Sequence, residues 1–200
     1  MMHNGPLPSS LDNAVAIPPF LIRVDFVLAV ALLVVAPLGL LGAAWEHPAV
    51  RGRLLAYWRA SSLLMITVYL MVDGRAVAFI AGNAALVLIP IALYRGDALS
   101  GTPSPSRDDG PMAEWFRRWR TGAVAFCGAS LLLTAPTLRC AWALGEATSG
   151  CAAWLGPPRA LHRALHPSLD LATLGDAAVV GLVVYGVYLL ASGIRIARAA

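Results

Sequence analysis

The sequence predicts an all-α polytopic membrane helical bundle with about five transmembrane helices and a short interfacial helix in one loop. Three observations carry this reading. Residues 54–72 and 76–94 are apolar runs of 19 residues on either side of the polar turn Asp73-Gly74-Arg75. A helix rises about 1.5 Å per residue, so each run crosses a hydrocarbon core about 30 Å thick, and so short a turn makes the two runs antiparallel neighbours. Hydrophobic residues make up 58% of the chain and charged residues 13%, about half the charged share of a soluble domain. Finally, Trp45, Trp58, Trp115, Trp119, Trp142 and Trp154 all fall at the ends or flanks of apolar runs, the distribution of an aromatic belt at the membrane interfaces.

Residues 1–22 form a polar, Pro-rich tail without a basic segment or a cleavage-site pattern, so a signal peptide is not expected and partial disorder is. The membrane domain spans 23–195. Its first helix, 26–45, follows Arg23 and Asp25 and carries Pro37 at mid-span. A proline there kinks the helix and frees a backbone carbonyl, which a neighbouring helix or water must satisfy. The second and third spans are 54–72 and 76–94. Ala78 and Gly82 give the third a small-xxx-small face suited to close helix packing.

Residues 95–120 form a loop rich in Gly, Pro, Ser and Asp that ends in Glu114-Trp115-Phe116-Arg117-Arg118-Trp119-Arg120. A basic aromatic segment abutting a span faces anionic headgroups, so its expected partner is the lipid bilayer and not nucleic acid. The fourth span is 121–138, with Pro136 near its end. Residues 139–172 form the longest non-spanning segment, holding Cys140, Cys151, Pro157-Pro158 and the tandem RALHRALH before Pro167. The tandem makes two helical turns with Leu161 and Leu165 on one face. The fifth span is 175–194, where Thr173 and Asp176 have capping-box spacing and Ala177 and Gly181 form a second small pair.

All fifteen basic residues are arginine, and net charge is +4. An odd number of spans puts the termini on opposite sides. Ten arginines (51, 53, 59, 95, 107, 117, 118, 120, 195 and 198) then lie on the side of the C-terminus and five (23, 75, 139, 159 and 163) on the other. The positive-inside bias places the C-terminus in the cytoplasm and the N-terminus outside, making 95–120 cytoplasmic and 139–172 an outer loop.

That orientation exposes Cys140 and Cys151 to the oxidising side, and ten intervening residues suit a structural disulfide better than a catalytic dithiol. Cys127, inside the fourth span, reads as a packing residue. Arg59 and Asn83 are the intramembrane polar candidates. Arg59 reads as a snorkelling side chain beside Arg51 and Arg53, with an anion site as the sharper alternative. Asn83 lies level with Met65, near Ser62 and Thr67, and reads as an interhelical hydrogen-bonding group. Arg23, Asp25, Asp73, Arg75, Arg139 and Asp176 read as an outer rim of ion pairs. His162 and His166 are weak metal candidates, because Pro167 breaks the helix before a third ligand at Asp170; no metal or other cofactor is expected. Serine-hydrolase, phosphate-loop, dinucleotide and HExxH patterns are absent from the sequence, and no catalytic residue is assigned.

Tyr57-Trp58-Arg59-Ala60-Ser61-Ser62-Leu63-Leu64, Ile66-Thr67-Val68-Tyr69-Leu70-Met71 and Leu88-Ile89-Pro90-Ile91 resemble a family of small integral membrane proteins of cyanobacteria, known as a domain of unknown function. Leu138-Arg139-Cys140, Cys151-Ala152-Ala153-Trp154, Pro157-Pro158 and His166-Pro167 resemble the same family, so the likeness covers about Phe20 to Ile194. It implies a cyanobacterial plasma or thylakoid membrane and carries no site over. The resulting expectation is a non-enzymatic accessory or assembly component with other membrane subunits as partners. A small transporter or channel subunit around Arg59 and Asn83 is the alternative, and a membrane enzyme the second.

Overall fold

In the computed structural model, residues 17–100, 110–142 and 149–199 are described, and they form helices without strands. Among the described residues, five helical stretches are long and apolar enough to cross a membrane: Pro19–Ala43, Pro48–Asp73, Val77–Arg95, Pro111–Ala141 and Leu171–Gly193. The fold is the all-α membrane bundle the sequence predicts.

The first stretch is α1 (Pro19–Val30), a π-helical turn (Ala31–Val35) and α2 (Ala36–Ala43). It starts on Pro19, inside the segment expected as tail, because proline at the first helical position loses only an amide that has no acceptor there. Pro37 explains the π turn. Having no N–H, it leaves Leu33 O without its α-helical donor and Leu32 O without its π-helical one. Both carbonyls are capped from outside the helix: Tyr57 Oη donates to Leu33 O at 2.5 Å and Trp119 Nε1 to Leu32 O at 2.8 Å. The freed carbonyl expected from Pro37 thus becomes two docking points.

α3 (Pro48–Asp73) ends on Gly74 at φ 79°, the left-handed region that favours glycine. Arg75 N–H to Leu70 O and Gly74 N–H to Met71 O complete a Schellman cap. α4 (Val77–Ser100) is the central helix: half of its most apolar window is buried, against 11% for the first span. Ala78, Ala81 and Ala85 are buried, and a Cβ on Gly82 would lie 3.1 Å from Thr67 Cγ2. The small-residue face therefore seats α4 on α3 within the chain.

α5 (Pro111–Thr134) continues as a 3-10 helix, Ala135–Ala141, beyond the expected end at 138. Residues 101–109 of the expected 95–120 loop lie outside the described residues, and the rest, apart from the bend at Gly110, is helical. Its basic aromatic segment is the start of α5. There Glu114 pairs with Arg117 and Arg118, Trp115 is exposed, and Phe116 and Trp119 are buried. Trp119 and Trp154 depart from the interfacial belt: both turn inward, Trp119 toward the Leu32 carbonyl.

Residues 143–148 are likewise outside the described set. The expected two turns at 159–166 belong, as far as Leu165, to a longer helix, α6 (Ser149–Leu165), which runs through Pro157 and Pro158. Its buried face is Cys151, Trp154, Leu155, Pro158 and His162, the spacing of one helical stripe. A disulfide joins Cys140 to Cys151, and Arg159 Nε donates to Val72 O at 3.1 Å, capping the end of α3. α7 (Leu171–Ala199) packs along α3. A Cβ on Gly175 would lie 2.2 Å from Asp73 Oδ2, so only glycine admits this approach.

Candidate functional site

The first span touches the bundle near its start and again from its π-helical turn onward. At the first contact, Ile22 packs with Phe79, Cys140, Cys151, Trp154 and Leu155. At the second, Leu33 packs with Leu54, Tyr57, Ile89, Phe116 and Trp119. Between these anchorages lies a cavity of about 210 Å³. Phe26, Ala29 and Val30 of α1 form one wall and Leu64, Val68 and Met71 of α3 another. Gly82, Asn83 and Leu86 of α4 reach it, Ser130, Thr134 and Thr137 close it from the fourth span, and Trp154, Pro157, Leu161 and Leu165 of α6 also line it.

Its polar groups are few, and most are already engaged. Thr67 Oγ1 donates to Leu63 O at 2.8 Å, and Thr137 Oγ1 to Thr134 O at 2.6 Å. Asn83 Nδ2 donates to Phe79 O at 2.8 Å, while its Oδ1 faces Thr134 Oγ1 at 3.2 Å. The interhelical hydrogen bond expected of Asn83 is thus made to the fourth span and not to the hairpin partner. Ser130 hydrogen-bonds the Asp25 carboxylate. A carboxylate accepts about four hydrogen bonds, so Asp25 keeps capacity to spare. Among the described residues no basic side chain pairs with it, and no arginine or histidine lines the cavity. Trp154 is 6% exposed, and its Nε1–H has no partner in the protein.

The other sequence candidates lie elsewhere. Arg59 is exposed on α3, away from the buried Asn83 on α4. The rim network is smaller than expected: Arg75 bridges Asp73 at 2.5 Å and Asp176 at 2.7 Å, and hydrogen bonding to Asp73 holds its guanidinium pKa above the ordinary arginine value. Arg23 and Arg139 are exposed outside that network, and Asp25 has turned to Ser130. His162 is buried, with Nε2 3.1 Å from Leu169 O, and His166 Nε2 lies 3.4 Å from Tyr69 Oη. Among the described residues no three His, Cys, Asp or Glu side chains gather as a metal site. In α7, a Cβ on Gly181 would lie 3.5 Å from Ile66 Cγ1, whereas Ala177 is exposed and its neighbour Ala178 is buried instead.

The sequence reading missed Asp25 and Trp154 as cavity groups. Ile22, Asp25, Phe26 and Ala29 share one helical stripe, a spacing that could have turned Asp25 inward.

A model for a protein of unknown function, DUF3177, matches residues 19–199. The chain belongs to the DUF3177 family. No curated protein and no solved structure matches it. The match begins on the first residue of α1 and runs to the last of α7, so the whole bundle, including α6 and the cavity, is the DUF3177 unit.

Proposed function

We propose that this DUF3177 protein is a non-enzymatic accessory or assembly component of a cyanobacterial membrane complex. Its N-terminus lies outside and its C-terminus in the cytoplasm. One observation carries the non-enzymatic reading: most polar side chains between the helices are spent on the bundle itself. Tyr57 and Trp119 hold the carbonyls released by Pro37, Asn83 joins α4 to α5, and Thr67 and Thr137 bond their own helices. Turnover or ion passage needs groups free to exchange partners. The face of α7 turned from α3 exposes Val180, Val183, Val184, Val187 and Leu190, an apolar strip that membrane subunits or acyl chains would cover. The likeness to cyanobacterial proteins supports a plasma or thylakoid location, and the ten-to-five arginine split supports the orientation.

Purification from native membranes in mild detergent tests this reading. The chain should migrate on native gels with a larger complex and co-purify with defined membrane subunits. A chain that runs alone and moves an anion across liposomes only while Arg59 is intact would be a transporter instead.

A further inference from the structure

Burial, charge and unmet hydrogen bonds converge on the cavity between the first span and α3. Its walls are apolar along Phe26, Ala29, Val30, Val68 and Leu86, so they suit a hydrocarbon body. Two of its groups have hydrogen bonds left to make: the Asp25 carboxylate, which only accepts when ionised, and the Trp154 indole, which only donates. A buried indole N–H ordinarily finds a partner. A hydroxyl suits both kinds of group, since it gives a proton to a carboxylate oxygen and accepts one from an indole N–H. Anionic heads fit poorly, because no arginine or histidine lines the cavity to neutralise them.

We propose that this cavity binds an uncharged lipophile with a hydroxyl head, its chain or ring body between α1 and α3 and its head between Asp25 and Trp154. The first span suits such entry from the bilayer, because it is anchored at Ile22 and Leu33 and loosely packed between them. The inference stands on the cavity alone and does not require the accessory reading.

The test is photolabelling of the full-length chain in mild detergent with three C18 probes, each carrying a diazirine and an alkyne: an alcohol, a carboxylic acid and a primary amine. The alcohol should label peptides from 22–34 and 64–71 above the other two, and excess octadecanol should compete it away. Ala29→Trp, which fills the cavity from the loosely packed helix, should abolish that labelling. Trp154→Phe and Asp25→Leu should each weaken alcohol binding by about five- to tenfold, the effect of one lost hydrogen bond. Asp25→Asn, which keeps a carbonyl acceptor, should recover most of it. Circular dichroism and gel filtration identify any variant that misfolds, and competition on the unmodified chain decides the matter without them. Three outcomes overturn the proposal: equal or stronger labelling by the acid, stronger labelling by the amine, or alcohol labelling spread over the exposed face of α7 and indifferent to octadecanol.

Discussion

At the scale of residues, a proline inside a span is affordable only if its orphaned carbonyls find donors. Pro37 meets that condition through Tyr57 and Trp119, and the cost of losing one donor is predictable. Tyr57→Phe removes the hydroxyl, leaves Leu33 O buried without a partner, and should destabilise the bundle by about 1–3 kcal/mol. Thermal unfolding in detergent measures this. In a Pro37→Ala background the helix recovers an amide donor, so Tyr57→Phe should cost much less; an undiminished cost would mean that Tyr57 acts through packing alone. Gly175 gives a second residue-scale expectation. Gly175→Ala drives a methyl into Asp73 and should loosen α7 and the Arg75 bridge, whereas Gly186→Ala, with nothing within 4 Å, should be neutral or slightly stabilising. Equal unfolding temperatures for the two variants would refute the close approach. Chemistry at this scale was half legible. Pro37 announces an orphan carbonyl in sequence, but its donors come from helices 20 or more positions away (Tyr57 is separated by 24 residues from Leu33), which no local pattern encodes. Asn83 was misassigned a partner for the same reason. Mirror symmetry across a tight turn ranks the residues of one hairpin, while Thr134 belongs to a helix outside it.

At the scale of elements, the five spans could be read directly because apolar length is a property of consecutive residues. α6 was harder. Its buried stripe at Cys151, Trp154, Leu155, Pro158 and His162 has helical period, yet Pro157-Pro158 reads locally as a break. Tertiary support outweighs that local preference: the disulfide holds one end of α6 and Arg159 ties its middle to the end of α3. The closed loop is short, and its closure stabilises the fold by about 3 kcal/mol on the chain-entropy model. Reduction, or Cys140→Ser with Cys151→Ser, should therefore raise amide exchange through Ser149–Leu165 and leave α3 and α4 protected. Uniform loss of protection would show that the bond supports the entire bundle. Alkylation under denaturing, non-reducing conditions should modify Cys127 alone, and three modified cysteines in fresh membranes would deny the bridge.

At the scale of the whole molecule, two physical arguments bear on which side faces the cytoplasm. The first is arginine asymmetry, ten on the C-terminal side of the membrane against five on the other. Positively charged loops are retained on the cytoplasmic side during insertion, so the imbalance favours a cytoplasmic C-terminus. Several of those ten are engaged locally: Arg117 and Arg118 with Glu114, Arg51 over the Trp45 ring, Arg120 over Tyr94. Local pairing does not weaken the argument, because the bias acts on the nascent loop before the helices pack. The second argument is redox. The Cys140–Cys151 bond sits with α6 at the Asp73 end of the bundle, opposite the arginine-rich end, and such bonds persist outside the cytoplasm. Both favour the proposed orientation, with the segment joining α4 to α5 inside the cell. A protease site inserted within 101–109 should accordingly stay intact when whole spheroplasts are treated and be cut once they are permeabilised. Cleavage in whole spheroplasts would reverse the orientation and put the disulfide in a reducing compartment, where alkylation should then find both thiols free.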